Sequence, residues 1–215
     1  MAQGGRAVIL ADTDLRRPSL HRFFGFPNNL GVTSLLLDAS LGPADALRPA
    51  EAVPGLQVLT SGPLPPNPAE VLESSRTQTL LAQLRGQADV IILDSPPLLV
   101  VTDAAVLSTL ADGTLLVLDS GATRVDAARK AIETLEKVGV RPIGAVVNKL
   151  DPASAGRYYY DYAYTYRYGA YYGGSGGDGD QGDGTGTAPT VRGAARTRPL
   201  RLLERLMQGF TSLLS

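Results

Sequence analysis

Five short apolar runs, most of them emptying polar residues at the C-terminal end, constrain this chain more than any other feature of its sequence. They lie at 6–11 (RAVILA), 56–60 (LQVLT), 90–93 (VIIL), 114–118 (TLLVL) and 143–148 (IGAVVN). Such short, nearly continuous runs suit parallel strands covered on both faces. Between several of them, at 68–84, 102–110 and 124–138, apolar residues recur at three- and four-residue spacing, with Gly139 placed to stop the last helix. Strands alternating with helices predict an α/β fold, a doubly wound and mostly parallel sheet. Ligands of such sheets sit at the carboxyl ends of the strands. Asp12, Asp14, Asp94, Asp119 and Asn148 all fall there.

Composition narrows the chemistry. The 215 residues, 44% of them apolar, suffice for one globular domain with tails rather than two domains. A net charge of −1 gives no reason to expect nucleic acid as a partner. The sequence has no cysteine, which excludes disulfides and thiolate metal sites, and its single histidine, His21, reads as a packing residue rather than a metal ligand. No apolar run approaches the ~20 residues that span a bilayer, and no signal pattern opens the chain. The expected location is cytoplasmic, peripheral at the inner face of the plasma membrane.

The sequence divides at about residue 151. Residues 1–151 hold the strand and helix patterns; 152–172 contain all nine tyrosines, Tyr158, Tyr159, Tyr160, Tyr162, Tyr164, Tyr166, Tyr168, Tyr171 and Tyr172. Residues 173–198 are rich in glycine and poor in apolar side chains, the composition of a flexible, disordered linker. At 199–215, Leu203, Leu206, Met207, Phe210, Leu213 and Leu214 share one helical face and Arg201 and Arg205 fall away from it. A basic amphipathic helix of this kind suits an anionic membrane surface, or docking on a protein.

Phosphoryl transfer asks for positioning and charge neutralisation: a backbone cradle and lysine on the phosphates, Mg²⁺, and carboxylates to hold the metal and orient the nucleophile. ILADTDLRRP (9–18) supplies Asp12 and Asp14, which face one side if the chain stays extended, and VIILDSPP (90–97) delivers Asp94 into a rigid turn. The plainer reading is that Asp12 and Asp14 cap the next turn.

ILADTDLRRP resembles the modified second Walker motif of bacterial tyrosine kinases, and VIILDSPP resembles their Walker B. The segment GPLPPNPAEVLE (62–73) is similar to a stretch between those motifs, and the tyrosine run to their C-terminal autophosphorylation cluster. The resemblance covers about residues 5–172 and implies a P-loop NTPase fold like that of the partition ATPases, using ATP and Mg²⁺. It implies that Asp14 and Asp94 hold Mg²⁺, in part through water, that Asp12 orients or deprotonates the incoming tyrosine, and that the nine tyrosines are the phospho-acceptors. It further implies an autokinase regulating capsular or exopolysaccharide synthesis and export, self-associating through the kinase domain and working with a membrane activator or chain-length regulator. Asn148 is expected near the adenine or simply at the end of its strand. NKLD (148–151) also matches the guanine-reading N-K-x-D pattern, which leaves GTP as an alternative.

The sequence departs from the family in one respect: it contains no G-x-x-x-x-G-K-[ST]. The resemblance places that loop about thirty residues before the Asp-x-Asp strand, so the expectation is a domain truncated at its N-terminus and inactive by itself, with Met1–Gly5 as the last turn of a helix. Two other readings stand beside the kinase: a non-catalytic scaffold or phosphotyrosine acceptor, and a relative of the partition and division-site ATPases.

Overall fold

Val8–Asp12 (β1) forms the centre of the fold because both its faces are apolar and both find cover: every residue except Leu10 is buried, Ile9 completely. A computed structural model of the protein describes residues 1–150. The tyrosine cluster, the linker and the helix expected at 199–215 lie outside the described residues. The described residues divide into a larger unit, Met1–Leu116 with Arg129–Gly144, and a smaller one, Val117–Ala128 with 145–150.

In the larger unit β1 pairs in parallel with Leu56–Leu59 (β3) on one side and Val90–Asp94 (β4) on the other. Leu47–Pro49 (β2) adds an antiparallel edge to β3, giving the order β2-β3-β1-β4. Pro49 lacks an amide hydrogen and is tolerated there because an edge strand leaves one side unpaired. Leu20–Phe24 (α1), Val32–Leu37 (α2), Pro43–Ala46 (α3), Pro68–Glu73 (α4), Ser75–Arg85 (α5) and Asp103–Leu110 (α6) complete the elements around this sheet. Ile9, Leu15, Leu35, Leu59, Leu72, Leu84 and Leu107 make the body of its core. Thr114–Asp119 (β5) and Pro142–Asn148 (β6) form a separate two-stranded sheet, and Val125–Lys137 (α7) lies between them in sequence.

The α/β class and the mostly parallel sheet agree with the sequence, while several details differ. Residues 68–84 were expected as one helix and are two. Ser74 is extended (φ −66°, ψ 152°), and its hydroxyl and that of Thr77 donate to the Val71 carbonyl at 2.7 and 3.1 Å. Side chains thereby take an acceptor that a continuing helix would give to a backbone amide. The strands were expected to be covered on both faces, yet β5 buries Leu116 and Leu118 and exposes Leu115 and Val117, and Ile143 of β6 is 72% exposed. The sheet is also not continuous: β4 pairs with β1 alone among the described strands. Met1–Gly5 contains one 3-10 turn, Ala2–Gly4, ended by Gly5 at φ 85°.

Two loops are locked together beside the sheet. The Thr60 and Ser61 carbonyls accept from the Val32 and Thr33 amides at 2.8 Å, so the end of β3 runs directly into the start of α2. Asn28 closes the junction: its Nδ2 donates to the Gly62 carbonyl at 2.9 Å and its Oδ1 accepts from the Gly62 amide at 2.9 Å. Gly62, at φ 77°, begins the Pro-rich stretch that the sequence singles out. Gly31 makes this approach possible, since a Cβ there would lie 2.1 Å from the Thr60 oxygen and 2.4 Å from the Gly62 nitrogen. Gly31→Ala should therefore destabilise the protein by about 3 kcal/mol, because backbone on both sides must move. Gly4→Ala, which meets nothing within 4 Å, should leave the urea midpoint unchanged; equal midpoints for both variants would refute the locked junction.

Candidate active site

Parallel pairing sets Asp12 opposite Asp94 at the carboxyl ends of adjacent strands. Neighbouring strands lie ~4.8 Å apart, so the two side chains leave the sheet as close neighbours. Thr13 ties the ends together: its amide and hydroxyl both donate to the Asp94 carbonyl, at 2.8 and 2.6 Å. Asp12 is completely buried. Its Oδ2 accepts from the Ser19 and Leu20 amides at 3.0 and 2.9 Å, capping the start of α1, while its Oδ1 is buried with no partner.

Burial dominates the electrostatics. It raises the Asp12 carboxyl above its ordinary 3.8, against the lowering effect of the two capping amides. Asp94 is raised as well, first by burial and then by the negative charges of Asp12 and Asp14. Asp14 accepts at Oδ1 from the Arg16 and Arg17 amides, at 3.1 and 2.9 Å, so it does the turn-capping work that the plainer reading assigns it and still lies close enough to act on Asp94.

The sequence did not signal the group that fixes this loop from outside. Asp103, the first residue of α6, is completely buried, and Arg16 grips it in a two-pronged pair, Nε to Oδ2 at 2.8 Å and Nη2 to Oδ1 at 2.9 Å. A planar guanidinium meeting both carboxylate oxygens fixes angle as well as distance. An acid opening a helix reads locally as a favourable first-turn charge, and its partner is 87 residues away.

Asn148 and Asp119 belong to the smaller unit and make a cluster of their own. Lys149, at φ 55°, donates from Nζ to Asp119 Oδ2 at 2.7 Å and from its amide to Asn148 Oδ1 at 2.8 Å. Ser120 Oγ donates to the Lys149 carbonyl at 2.6 Å. The lysine and the Asn148 oxygen are therefore both engaged within the protein. Asp151, the last residue of NKLD, and the nine tyrosines lie outside the described residues.

Among the described residues no group of three or more His, Cys, Asp or Glu forms a ready-made metal cage. Mg²⁺ does not need one, since it keeps several waters and takes one or two carboxylates plus phosphate oxygens. The carboxylates fit such an ion: a cation beside Asp14 and Asp94 would relieve the repulsion that helps raise Asp94 and leave the unpartnered Asp12 Oδ1 free. No described helix is long and apolar enough to cross a membrane.

No protein-family model matches the chain. Tyrosine-protein kinase YwqD of Bacillus subtilis (strain 168) is 42% identical over 160 residues, which are 74% of this chain and 67% of YwqD. Putative tyrosine-protein kinase CapB of Staphylococcus aureus is 36% identical over 159 residues, 74% of this chain and 69% of CapB. Among solved structures, the VpsO kinase domain superposes with a TM-score of 0.65 at 35% identity, covering 69% of this chain and 73% of that one. The septum site-determining protein MinD of Pyrococcus horikoshii, at 20% identity and a TM-score of 0.55 over 72% of this chain and 66% of MinD, shares the P-loop NTPase fold.

The burial of Asp12 has a measurable consequence. Its folded pKa is raised, so between the ordinary carboxylate value and the raised one the native state binds more protons than the unfolded state, and stability falls as pH rises through that window. Asp12→Asn keeps an oxygen for the two amides and removes the buried charge. It should melt a few degrees higher than the parent at pH 7 and flatten the pH slope above 4, whereas Asp12→Ala, which loses the cap, should cost about 1 kcal/mol relative to Asn. An Asp12→Asn protein that melts well below the parent at pH 7 would contradict the strained-carboxylate account.

Proposed function

The chain belongs to the bacterial tyrosine-protein kinases, and on that premise we propose that it supplies the strand-end carboxylates of an ATP-dependent protein-tyrosine autokinase regulating capsular or exopolysaccharide synthesis and export. The observation that carries this reading is Asp12: a fully buried carboxylate with one unpartnered oxygen, set opposite Asp94 where parallel strands end. A fold gains nothing in stability from that arrangement.

The chemistry follows from the residues. A tyrosine phenol, of pKa ~10, must lose its proton as the phosphate arrives, and Asp12 Oδ1 is the free acceptor. Burial raises its basicity, which suits it to that task. Asp14 and Asp94 would hold the metal, partly through water; when bound with ATP, Mg²⁺ neutralises charge on the phosphates. Arg16 and Asp103 hold the turn in which Asp14 sits. The acceptors are the tyrosines at 158–172, the self-association is between kinase domains, and the partner is a membrane activator, with 199–215 meeting an anionic membrane at the inner face. Asn148 is assigned to the nucleotide base, through the part of its side chain not engaged by Lys149.

The sequence has no G-x-x-x-x-G-K-[ST], so the amides and lysine that cradle the phosphates must come from outside it. The same fact favours a second reading, a non-catalytic phosphotyrosine acceptor. Incubated alone with magnesium and ATP, the chain should gain no phosphotyrosine. Given an active relative, it should be phosphorylated at 158–172 by peptide mapping. Robust self-labelling would show that the missing loop is not required, and phosphate mainly elsewhere would remove the acceptor assignment.

A further inference from the structure

Residues 15–37 carry three arginines and no acid, in a chain whose net charge is −1. Within this stretch α1 and the turn after it raise an aromatic knuckle. Gly25 ends the helix at φ 70°, its amide donates to the Arg22 carbonyl at 3.3 Å, and the Phe26 amide donates to the His21 carbonyl at 2.8 Å. Those bonds close the turn and hold Phe23, Phe24 and Phe26 on a fixed backbone. A Cβ at Gly25 would meet nothing within 4 Å, so the turn stands clear of its surroundings. Half-buried Phe24 joins the other two rings: Phe23 meets it edge to face with centroids 5.0 Å apart, and Phe26 stacks on it at 6.0 Å and 11°. Phe23 is nevertheless 82% exposed, the most exposed large apolar side chain among the described residues. Arg17 and Arg22 are exposed on the same stretch, and neither enters an ion pair among the described residues. Arg22 spends one donor, Nη2 to the Pro18 carbonyl at 3.1 Å, of the five a guanidinium has.

Charge and area together decide what such a surface fits. Its uncompensated charge is positive, so the partner is negative. Burying one aromatic side chain removes about 150–250 Å² from water, far below the ~800 Å² that each partner gives to a stable protein interface. An anionic bilayer demands neither that area nor a shaped complement. Apolar rings settle at the boundary of headgroups and acyl chains, and each arginine near the surface adds to the attraction.

We propose that the turn carrying Phe23, Phe24 and Phe26, with Arg17 and Arg22, is a membrane-contact site of the larger unit, Phe23 entering the headgroup–acyl boundary of an anionic bilayer while the arginines meet lipid phosphates. This contact is separate from the one assigned to 199–215 and does not rest on the kinase reading. Its place does bear on the candidate site. Five residues make α1 about 7.5 Å long, and Asp12 caps its other end through the Ser19 and Leu20 amides. The contact therefore brings the strand-end carboxylates close to the bilayer surface.

The sequence has no tryptophan, so Phe23→Trp gives the full chain one indole at the point of entry. Ile143→Trp, on the 72% exposed Ile143 of β6, is the control. Each variant is mixed with vesicles of phosphatidylglycerol and phosphatidylcholine in equal parts, with and without bromine on the acyl chains. Brominated chains should quench position 23 at least about fivefold more than position 143. Vesicles of phosphatidylcholine alone should quench neither, and Arg17→Gln with Arg22→Gln should remove most of the quenching at position 23. High salt should do the same without any substitution, since screening weakens attraction to the headgroups. Quenching at position 23 no greater than at 143 would overturn the proposal; a chain that sediments with the vesicles in that case owes its attachment to 199–215. A blue shift at position 23 that grows with protein concentration in the absence of lipid would overturn it too, assigning the surface to a second copy. The readout needs neither ATP nor phosphotyrosine, so its failure leaves the kinase reading standing.

Discussion

The parallel pairing of β1 with β4 is the constraint on which the rest depends. Register alone sets Asp12 against Asp94, and Thr13 then spends both its donors on the Asp94 carbonyl, so the two strand ends cannot drift apart without losing buried hydrogen bonds. From that fixed point Asp12 caps α1, and Arg16, four residues on, reaches the buried Asp103 at the head of α6. Loop, helix and strand are thus positioned by polar groups, while the leucine core beneath holds the sheet that carries them.

The same pairing creates a tension that stability alone does not explain. Of the two carboxylates on adjacent strand ends, Asp12 is raised by burial and by Asp14, Asp94 by burial and by Asp12 and Asp14, and one oxygen of Asp12 goes without a partner. Such groups persist where a ligand completes them. A cation and an incoming phenol are both ligands of the right kind, and the relationship to tyrosine-protein kinases supplies a reaction in which both occur.

Much of this was legible in the sequence. The five apolar runs located β1, β3, β4, β5 and β6 to within about two residues, because strand identity there rests on local composition, and the two motifs put Asp12, Asp14 and Asp94 at strand ends. The short helices α1, α2 and α3 and the edge strand β2 were not legible, being too short to show a period. The break at Ser74 depends on a hydroxyl choosing a backbone carbonyl. Asp103 was invisible because its meaning lies in an arginine 87 residues away, and the one-sided cover of β5 because its run is as continuous as that of a fully buried strand. The unpartnered oxygen of Asp12 is likewise a fact of packing rather than of motif.

The central claim is that these strand-end carboxylates perform phosphoryl transfer once a phosphate-binding loop is present. The most direct measurement is magnesium-dependent ATP labelling, read by anti-phosphotyrosine detection, of a chain to which such a loop and a strand are added, compared with its Asp94→Asn variant. The account predicts labelling of the extended chain and at least a hundredfold loss in the variant. Equal labelling of the two would show that the Asp12 and Asp94 pair is not the catalytic centre, and no labelling of a folded extended chain would leave the protein as an acceptor rather than a kinase.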